Sequence, residues 1–202
     1  MAGFKRHCGL AAPLPLANVD TDQLIPARFM SAPRKAGYGG FLLHDLRHEA
    51  DGRPRPGFPL DEPAARGASV LIARRNFGCG SSREAAVYAL VDAGFKAVLA
   101  PSFGDIFAGN AVNNGLLPAQ VEEAEIEALI ASGPHCVEID LDASWILSAG
   151  RTIRFGLDPV HRLKLLNGWD DIDLTRAHAD EIAAFVEARR TAQPWLWPRM
   201  GG

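Results

Sequence analysis

The chain has 202 residues, of which 48% are hydrophobic and 22% are charged, as is usual for a soluble globular domain with its own core. A net charge of −3 argues against general binding to nucleic acids or anionic membranes. No apolar run approaches the length of about 18 residues that a membrane-spanning helix needs. Because no signal-peptide pattern opens the chain and its three cysteines form no motif, we expect a cytoplasmic protein.

The alternation of apolar runs and turn residues predicts an α/β domain. The predicted strands are 4–16, 69–74, 96–100, 135–141, 145–147 and 151–157. The predicted helices are 84–93, 103–112, 122–132, 159–166 and a final amphipathic helix at 174–190. We therefore expect a single domain, 1–202, in which a mixed sheet has flanking helices and an antiparallel later part.

Two segments fall outside this alternation. Between 33 and 67, 11 of 35 residues are glycine or proline. A loop of this length is either a cover or docking surface, or a surface excursion that the apolar cluster 41–46 pins down. The C-terminal tail, 191–202, holds Trp195 and Trp197 between prolines. Such aromatic residues either mark an interface or fold back over the core of their own domain.

The most informative feature is the glycine-containing turn between the second predicted strand and the first predicted helix. Gly78 and Gly80 permit backbone conformations that other residues avoid, and they allow close approach of a ligand. Ser81 or Ser82 is a candidate cap for the following helix, whose N-terminus attracts anions. Arg83 adds a planar fork that suits a carboxylate. The turn therefore predicts a site for a small acidic ligand.

This turn differs from the better-known glycine loops. Arg83 stands where the dinucleotide fingerprint G-x-G-x-x-G needs its third glycine, and the lysine of a phosphate-binding P-loop is absent. No glycine follows Ser81 or Ser82 at the offset of a nucleophile elbow. On these residues alone, an anion site and a structural turn, in which Arg83 forms a surface ion pair, both stay open.

Several further segments combine with this turn into an ordered series of motifs. They are Asn18-Val-Asp-Thr-Asp-Gln-Leu-Ile-Pro-Ala-Arg28, Gly78-Cys-Gly-Ser-Ser-Arg-Glu84, Ala100-Pro-Ser-Phe-Gly-Asp-Ile-Phe107, Asn113-Asn-Gly-Leu-Leu-Pro118 and, more weakly, Leu165-Leu-Asn-Gly168 with Asp171-Ile172. The series resembles the small subunits of 3-isopropylmalate dehydratase, the swivel domain of the aconitase superfamily. The resemblance implies a β/β/α swivel fold. It also implies a hydro-lyase of leucine biosynthesis that interconverts 2-isopropylmalate and 3-isopropylmalate through isopropylmaleate.

The resemblance assigns roles to residues of two segments. Ser81 is then the base that removes the carbon-bound proton of the substrate. Ser82 and Arg83 contact a substrate carboxylate. Asp20, Thr21 and Asp22 lie on a second loop that faces the same site. Thr21 and Asp22 contact the substrate there, and Asp22 orients groups near the reacting centre.

The resemblance also bears on specificity. It places Phe29 and Met30 opposite the variable group of the substrate, where apolar residues favour an alkyl group. Relatives that accept an extra carboxylate place an arginine there, and Arg28 and Arg34 lie nearby in the sequence. Ala85 stands where the family commonly has histidine after Ser-Ser-Arg-Glu. This departure leaves open a paralogous hydro-lyase that acts on another substituted malate, of the citraconate or dimethylmaleate type.

The proposed chemistry requires more stabilisation of the serine alkoxide than a single turn can provide. Forming a serine alkoxide near neutral pH costs on the order of 12 kcal/mol. A helix N-terminus returns about 2 kcal/mol at best, and a charge-assisted hydrogen bond about 1.5–3 kcal/mol. The hydroxide leaving group usually needs a Lewis acid. We therefore expect further donors, a dry site or a metal to contribute.

We expect no metal site within this chain. Cys8, Cys79 and Cys136 are far apart and include no C-x-x-C pair. His44 and His48 lack the glutamate of H-E-x-x-H and are typical of a solvated helical face. The resemblance implies that a [4Fe-4S] cluster is carried by a separate large subunit, so that this chain holds half of an active site for a small dicarboxylate. A non-catalytic carboxylate-binding module that regulates a partner is the other class left open.

Overall fold

A computed structural model describes residues 3–197 of the chain. Within this range, one sheet is formed by seven strands: β1 (Arg6–Leu14), β2 (Val70–Ala73), β3 (Ala97–Ala100), β4 (Leu117–Gln120), β5 (His135–Asp140), β6 (Trp145–Ser148) and β7 (Arg151–Arg154). Their order across the sheet is β4-β3-β2-β1-β5-β6-β7. β1 to β4 pair in parallel, whereas β5, β6 and β7 extend the sheet beyond β1 in antiparallel pairs. This arrangement confirms the predicted mixed sheet.

Helices connect the strands and cover the sheet. In chain order they are α1 (Thr21–Leu24), α2 (His44–Arg47), α3 (Glu84–Asp92), α4 (Asp105–Asn113), α5 (Glu123–Ala131), α6 (Pro159–Asn167), α7 (Asp171–Arg176) and α8 (Ala179–Ala192). The first four predicted helices are confirmed as α3 to α6. In the part of the chain that the structure describes, no helix is long and apolar enough to cross a membrane.

β2 and β3 lie in the parallel half of the sheet, and every residue of both strands is buried. Successive side chains of a strand point to opposite faces. Leu71 therefore packs into the core under α3, while Val70 and Ile72 pack into the core under α5. Burial on both faces explains why these strands are uninterrupted apolar runs in the sequence.

The loop-rich excursion between 33 and 67 packs against the core under α3. Leu42 and Leu43 are buried there. Phe41 and Leu46 pack against the same core from the side. An apolar cluster thus attaches the excursion to the sheet, although most of its other residues are exposed.

β4 is absent from the strands that the sequence analysis predicts. The strand contains Pro118, which has no N–H to donate to a ladder and therefore lowers the expectation of a strand. β4 lies at one edge of the sheet, where only one neighbour, β3, needs hydrogen bonds. The edge position is what makes this proline tolerable.

The prediction of a single final helix at 174–190 is wrong. Two helices, α7 and α8, meet at residues 177–178. α7 begins early because the Asp170 carboxylate accepts hydrogen bonds from backbone N–H groups of its first turn. α8 begins with Asp180 and Glu181, an acidic first turn that marks a new helix start. Apolar periodicity runs across both helices and hides the break.

The predicted tail, 191–202, is described as far as Trp197. Trp195 is 74% exposed. The ring of Trp197 lies 5.0 Å from the guanidinium of Arg190 on α8. The described part of the tail therefore packs on α8 and does not fold back over the core, while 198–202 lie outside the described residues.

Candidate active site

The two segments to which the resemblance assigns roles lie side by side. β1 and β2 are parallel neighbours, so the loops that follow them both leave from the C-terminal ends of the strands. Three backbone hydrogen bonds join the loops: Asn18 N–H to the Arg75 carbonyl (2.9 Å), Gly78 N–H to the Val19 carbonyl (2.7 Å) and Thr21 N–H to the Cys79 carbonyl (2.9 Å). The two loops, whose proximity is implied only by the resemblance, are thus in direct backbone contact.

The glycines of the turn have the conformations that the sequence predicts. Gly78 has a φ of 72° and Gly80 a φ of 94°, both in the region that favours glycine. A Cβ atom on Gly78 would lie 2.2 Å from Cγ of Phe107, the first buried side chain of α4. Phe107 packs so closely against residue 78 that only glycine fits there. The motif that ends at Phe107 therefore supports the turn.

A second set of contacts fixes the start of the turn. The backbone N–H of Asn76 donates to the Ser102 hydroxyl (2.8 Å), and the N–H of Phe77 donates to the Ser102 carbonyl (3.0 Å). The Asn76 side chain donates to the side-chain oxygen of Asn18 (2.9 Å). The start of the turn, the loop after β1 and the loop after β3 therefore hold one another in place.

Thr21 supports the turn from the neighbouring loop. It is buried, with 2% of its surface exposed. Its hydroxyl donates a hydrogen bond to the Ser81 carbonyl at 2.8 Å. The preceding residue, Asp20, caps α1 and exchanges hydrogen bonds with Gln23. The hydroxyl hydrogen of Thr21 is committed to the turn, and the substrate contact assigned to Thr21 stays a prediction.

The prediction that Ser81 or Ser82 caps the following helix is wrong. Arg83 occupies the N-cap position of α3, its backbone is extended, and no side chain caps the helix. The serines precede this position, so their hydroxyls are too early in the chain to cap it. Both serines are exposed, and within residues 3–197 neither hydroxyl has a hydrogen-bond partner. The two hydroxyls are therefore available to a ligand.

Arg83 forms an ion pair with Asp22 across the two loops. Nη1 of Arg83 donates to Oδ1 of Asp22. The Arg83 side chain is only 21% exposed. A guanidinium has five N–H donors, and this contact uses one nitrogen. Arg83 can therefore form this ion pair and still bind a substrate carboxylate with its other N–H groups. The sequence presents these two roles as alternatives.

Comparisons with known proteins agree with this geometry. Residues 1–124 match the Aconitase C-terminal domain, and residues 171–199 match the C-terminal domain of the 3-isopropylmalate dehydratase small subunit. The 3-isopropylmalate dehydratase small subunit of Teredinibacter turnerae is 44% identical, over 98% of each chain. That of Caulobacter vibrioides is 46% identical, over 97% of this chain and 99% of its own. The chain belongs to the family of 3-isopropylmalate dehydratase small subunits.

A solved structure in the same family shares the fold. The 3-isopropylmalate dehydratase structure from Methanocaldococcus jannaschii is 30% identical to this chain, with a TM-score of 0.65. The match covers 89% of this chain and 99% of that one. The predicted membership of the aconitase superfamily and the predicted swivel fold are therefore confirmed.

Phe29 lies in an aromatic cluster on the excursion side, and Met30 follows it in the chain. The Phe29 ring stacks on Phe41, with centroids 4.4 Å apart, and the Arg28 guanidinium lies over it at 4.5 Å. Met30 is exposed. Arg28 is paired with Asp45. Within residues 3–197, no hydrogen bond or ring contact joins this cluster to the serine turn, so the specificity role of Phe29 and Met30 stays a prediction.

Arg34, the other arginine near this cluster, is also occupied. Its guanidinium donates to both carboxylate oxygens of Asp92 on α3 and lies 4.3 Å from the Tyr88 ring centroid. With both nearby arginines paired inside the chain, the local charge is balanced. This balance is in line with the alkyl group that the small-subunit resemblance implies.

The donors of this small subunit do not fit an iron–sulfur cluster. Such a cluster is held by several cysteine thiolates, whereas Cys8 lies on β1, Cys79 in the turn and Cys136 on β5. Among the described residues, no group of three or more His, Cys, Asp and Glu side chains is arranged for a metal ion. His44 and His48 stack on each other, with centroids 4.4 Å apart.

A polar network that the sequence does not predict lies behind the turn. Asn114, at the end of α4, donates to the Glu84 carboxylate at 2.9 Å and so contacts the first residue of α3. Its neighbour Asn113 bonds both Lys164 and Asp171. These residues lie in or beside the quoted motifs, which is the signal that identifies them. They link α6 and α7 to the helix that starts at the serine turn.

Lys164 is the unusual member of this network, because its ammonium is buried. Its side chain is 4% exposed, and it donates to Asp171 at 2.6 Å. This hydrogen bond lowers the pKa of the Asp171 carboxyl. Because the pKa is lowered, the pair stabilises the fold fully at a pH above about 3.9, the ordinary pKa of an aspartate. This contribution is lost as the pH falls through the lowered pKa.

We expect Asp171→Ala to reduce the free energy of unfolding by about 1–3 kcal/mol at neutral pH, because it leaves the Lys164 ammonium without its anionic partner. Urea unfolding checks this value. Adding Lys164→Met to the same chain removes the buried charge, so we expect it to restore much of the loss. A double variant less stable than Asp171→Ala alone would show that Lys164 stabilises the fold without Asp171.

Proposed function

We propose that this chain supplies one half of the substrate site of 3-isopropylmalate dehydratase, at which 2-isopropylmalate and 3-isopropylmalate interconvert through isopropylmaleate. One observation carries the proposal. Two exposed serine hydroxyls, which have no hydrogen-bond partner within residues 3–197, lie beside a half-buried arginine in the loop that follows β2, next to the loop that follows β1. The substrate class, a small dicarboxylate, matches the cationic fork beside these hydroxyls.

Each residue has a definite task in this proposal. Ser81 removes the carbon-bound proton. Thr21 holds the Ser81 carbonyl, and the Ser81 hydroxyl has no hydrogen-bond partner within residues 3–197. Ser82 and Arg83 bind a substrate carboxylate. Asp22 holds the guanidinium of Arg83 at the site. Phe29 and Met30, in the short segment that follows α1, would meet the alkyl group of the substrate when the site is complete.

A half-site explains why the serines are exposed. Forming an alkoxide costs on the order of 12 kcal/mol near neutral pH, and one helix N-terminus with one arginine offsets only part of it. A surface that covers the turn would exclude water and strengthen every interaction inside. We assign that surface to a separate large subunit. Because the donors of this chain do not fit a [4Fe-4S] cluster, we assign the cluster to the same subunit.

The surroundings of the proposed enzyme follow from its chemistry. The three free cysteines suit the reducing cytoplasm. The net charge of −3 gives no general attraction to nucleic acid or to anionic membranes. We therefore propose a cytoplasmic enzyme whose partners are the large subunit and its dicarboxylate substrate.

We expect Arg83→Lys to raise KM about tenfold or more, because an ammonium is a point charge and cannot bind a carboxylate through two parallel hydrogen bonds. Steady-state kinetics of the complex with the large subunit provide the measurement. Arg75→Lys, at an exposed arginine of the same turn, is the matched control and should leave KM unchanged. Equal KM values for both variants would remove Arg83 from the carboxylate site.

Reconstitution tests the proposed function. This chain is mixed anaerobically with the cluster-loaded large subunit, and the unsaturated intermediate is followed by its absorbance. We expect turnover of 2-isopropylmalate only when both chains are present. A complex that ignores 2-isopropylmalate but hydrates citraconate would assign the chain to the paralogous class. A complex that binds dicarboxylates without any turnover would make it a regulatory module.

A further inference from the structure

The C-terminal arm, which we define as residues 171–197, is the most exposed apolar part of the described chain. It comprises α7, α8 and a short 3-10 turn, and neither helix has a buried residue. Phe185 is 66% exposed and Ile172 is 62% exposed. Ile182, Trp195 and Leu196 are exposed as well. Large apolar side chains grouped on a surface in this way mark an interaction site.

The pattern along α8 is that of a helix with one face meant for burial. Ile182, Phe185 and Val186 have the i, i+3, i+4 spacing that places them on one side. Of the 14 residues of α8, only Val186 is half-buried and the others are exposed. A helix of this length is marginal in water without tertiary packing. The apolar face of α8 therefore lacks the packing that would stabilise it within this chain.

The arm starts close to the serine turn. Asp171, its first residue, accepts hydrogen bonds from Asn113 and Lys164. The next residue along α4, Asn114, donates to Glu84, which directly follows Arg83. A chain of direct contacts thus leads from the carboxylate fork to the base of the arm. The base of the arm, where α7 begins, is therefore linked by direct contacts to the surface that a protein covering the serine turn would occupy.

The family matches indicate which partner covers the arm. The matched domain is by its name the C-terminal domain of aconitase, and a covalent link keeps the domains of one chain near each other. A separate small subunit lacks that link and must replace its effective concentration with binding affinity. The arm coincides with the second match, 171–199, which is named as the C-terminal domain of the 3-isopropylmalate dehydratase small subunit.

We propose that the C-terminal arm is a docking element for the large subunit and that the apolar face of α8, with Ile182 and Phe185 at its centre, is buried in that interface. The proposal rests on the proposed function, since it assumes the same large subunit. It adds a contact surface outside the substrate site, whose residues bind the partner and take no part in the reaction.

The test compares two changes to serine on opposite sides of α8. Ile182→Ser/Phe185→Ser removes the apolar face, whereas Ala184→Ser, on the opposite side at 3.6 residues per turn, is the matched control. The dissociation constant of each full-length chain for the cluster-loaded large subunit is measured by titration calorimetry. We expect the double variant to raise this constant about tenfold or more. Ala184→Ser should change it less than threefold, and circular dichroism checks that every variant is folded.

Activity at saturating large subunit separates this proposal from the proposed function. We expect the double variant to keep the wild-type kcat once the complex is forced to form. A double variant that binds the large subunit as tightly as the wild type would overturn the docking proposal. So would a homodimer of this chain, detected by sedimentation, that the double variant abolishes without weakening the complex with the large subunit. If the wild-type complex forms through the arm but never turns over isopropylmalate, the proposed function fails while the docking surface stands.

Discussion

In complex with the large subunit, Ser81→Ala is expected to lower kcat by a factor of about 10²–10⁴, the usual contribution of a general base. The substitution removes a hydroxyl that no residue within 3–197 binds, while the Ser81 carbonyl that Thr21 holds stays in place. The fold and the affinity for the large subunit should therefore match the wild type. Turnover rates and a binding titration on the same preparation provide both values.

The neighbouring serine provides the control for this prediction. Ser82 is exposed and also free of hydrogen bonds through its hydroxyl in the described chain. Ser82→Ala should raise KM, since it removes a carboxylate contact, and should change kcat far less than Ser81→Ala. If Ser81→Ala retains near-wild-type kcat, Ser81 is not the base. If the two variants lose kcat equally, the proton transfer does not distinguish the two hydroxyls.

Gly78→Ala is expected to lower the free energy of unfolding by about 2–5 kcal/mol. Part of the loss comes from a φ of 72°, which costs a residue with a Cβ atom about 1–2 kcal/mol. The rest comes from overpacking, about 1–3 kcal/mol, because the new Cβ would lie 2.2 Å from Cγ of Phe107. A domain of this kind has only about 5–15 kcal/mol of stability. Denaturant unfolding should show the loss directly.

Gly57→Ala separates the two causes. Gly57 has a similar φ of 77°, but nothing lies within 4 Å of a Cβ atom built there. Its substitution should therefore cost about 1–2 kcal/mol, the conformational part alone. Equal losses for Gly57→Ala and Gly78→Ala would mean that the contact with Phe107 relaxes without cost and does not shape the turn.

The parts of the fold that the sequence predicts are those governed by local rules. β2 and β3 are short apolar runs between turn residues, and α3 to α6 show helical periodicity with clear starts or ends. The order of the strands in the sheet could not be predicted in this way, because pairings between distant strands leave no local periodic signal. β4 contains a proline that only its edge position makes acceptable, and the break between α7 and α8 depends on the cap at Asp170.

For the site, the residues alone predict glycines in backbone conformations that other residues avoid and an anion-binding turn, and the resemblance adds the second loop. Neither predicts the ion pair between Arg83 and Asp22, which are 61 positions apart in the chain. The buried ammonium of Lys164 is also hidden, because a lysine among leucines on a short helix is typical of an exposed face. Both features depend on which distant segments the tertiary fold brings together, and the local sequence does not show this.

The most direct test of the central claim is a structure of this chain bound to the large subunit and 2-isopropylmalate. We expect the Ser81 hydroxyl to lie within about 3.5 Å of the carbon that loses its proton. Arg83 should bind a substrate carboxylate from the same side. A substrate bound with every carbon-bound proton out of reach of Ser81 would contradict the assignment of this turn as the catalytic half of the site.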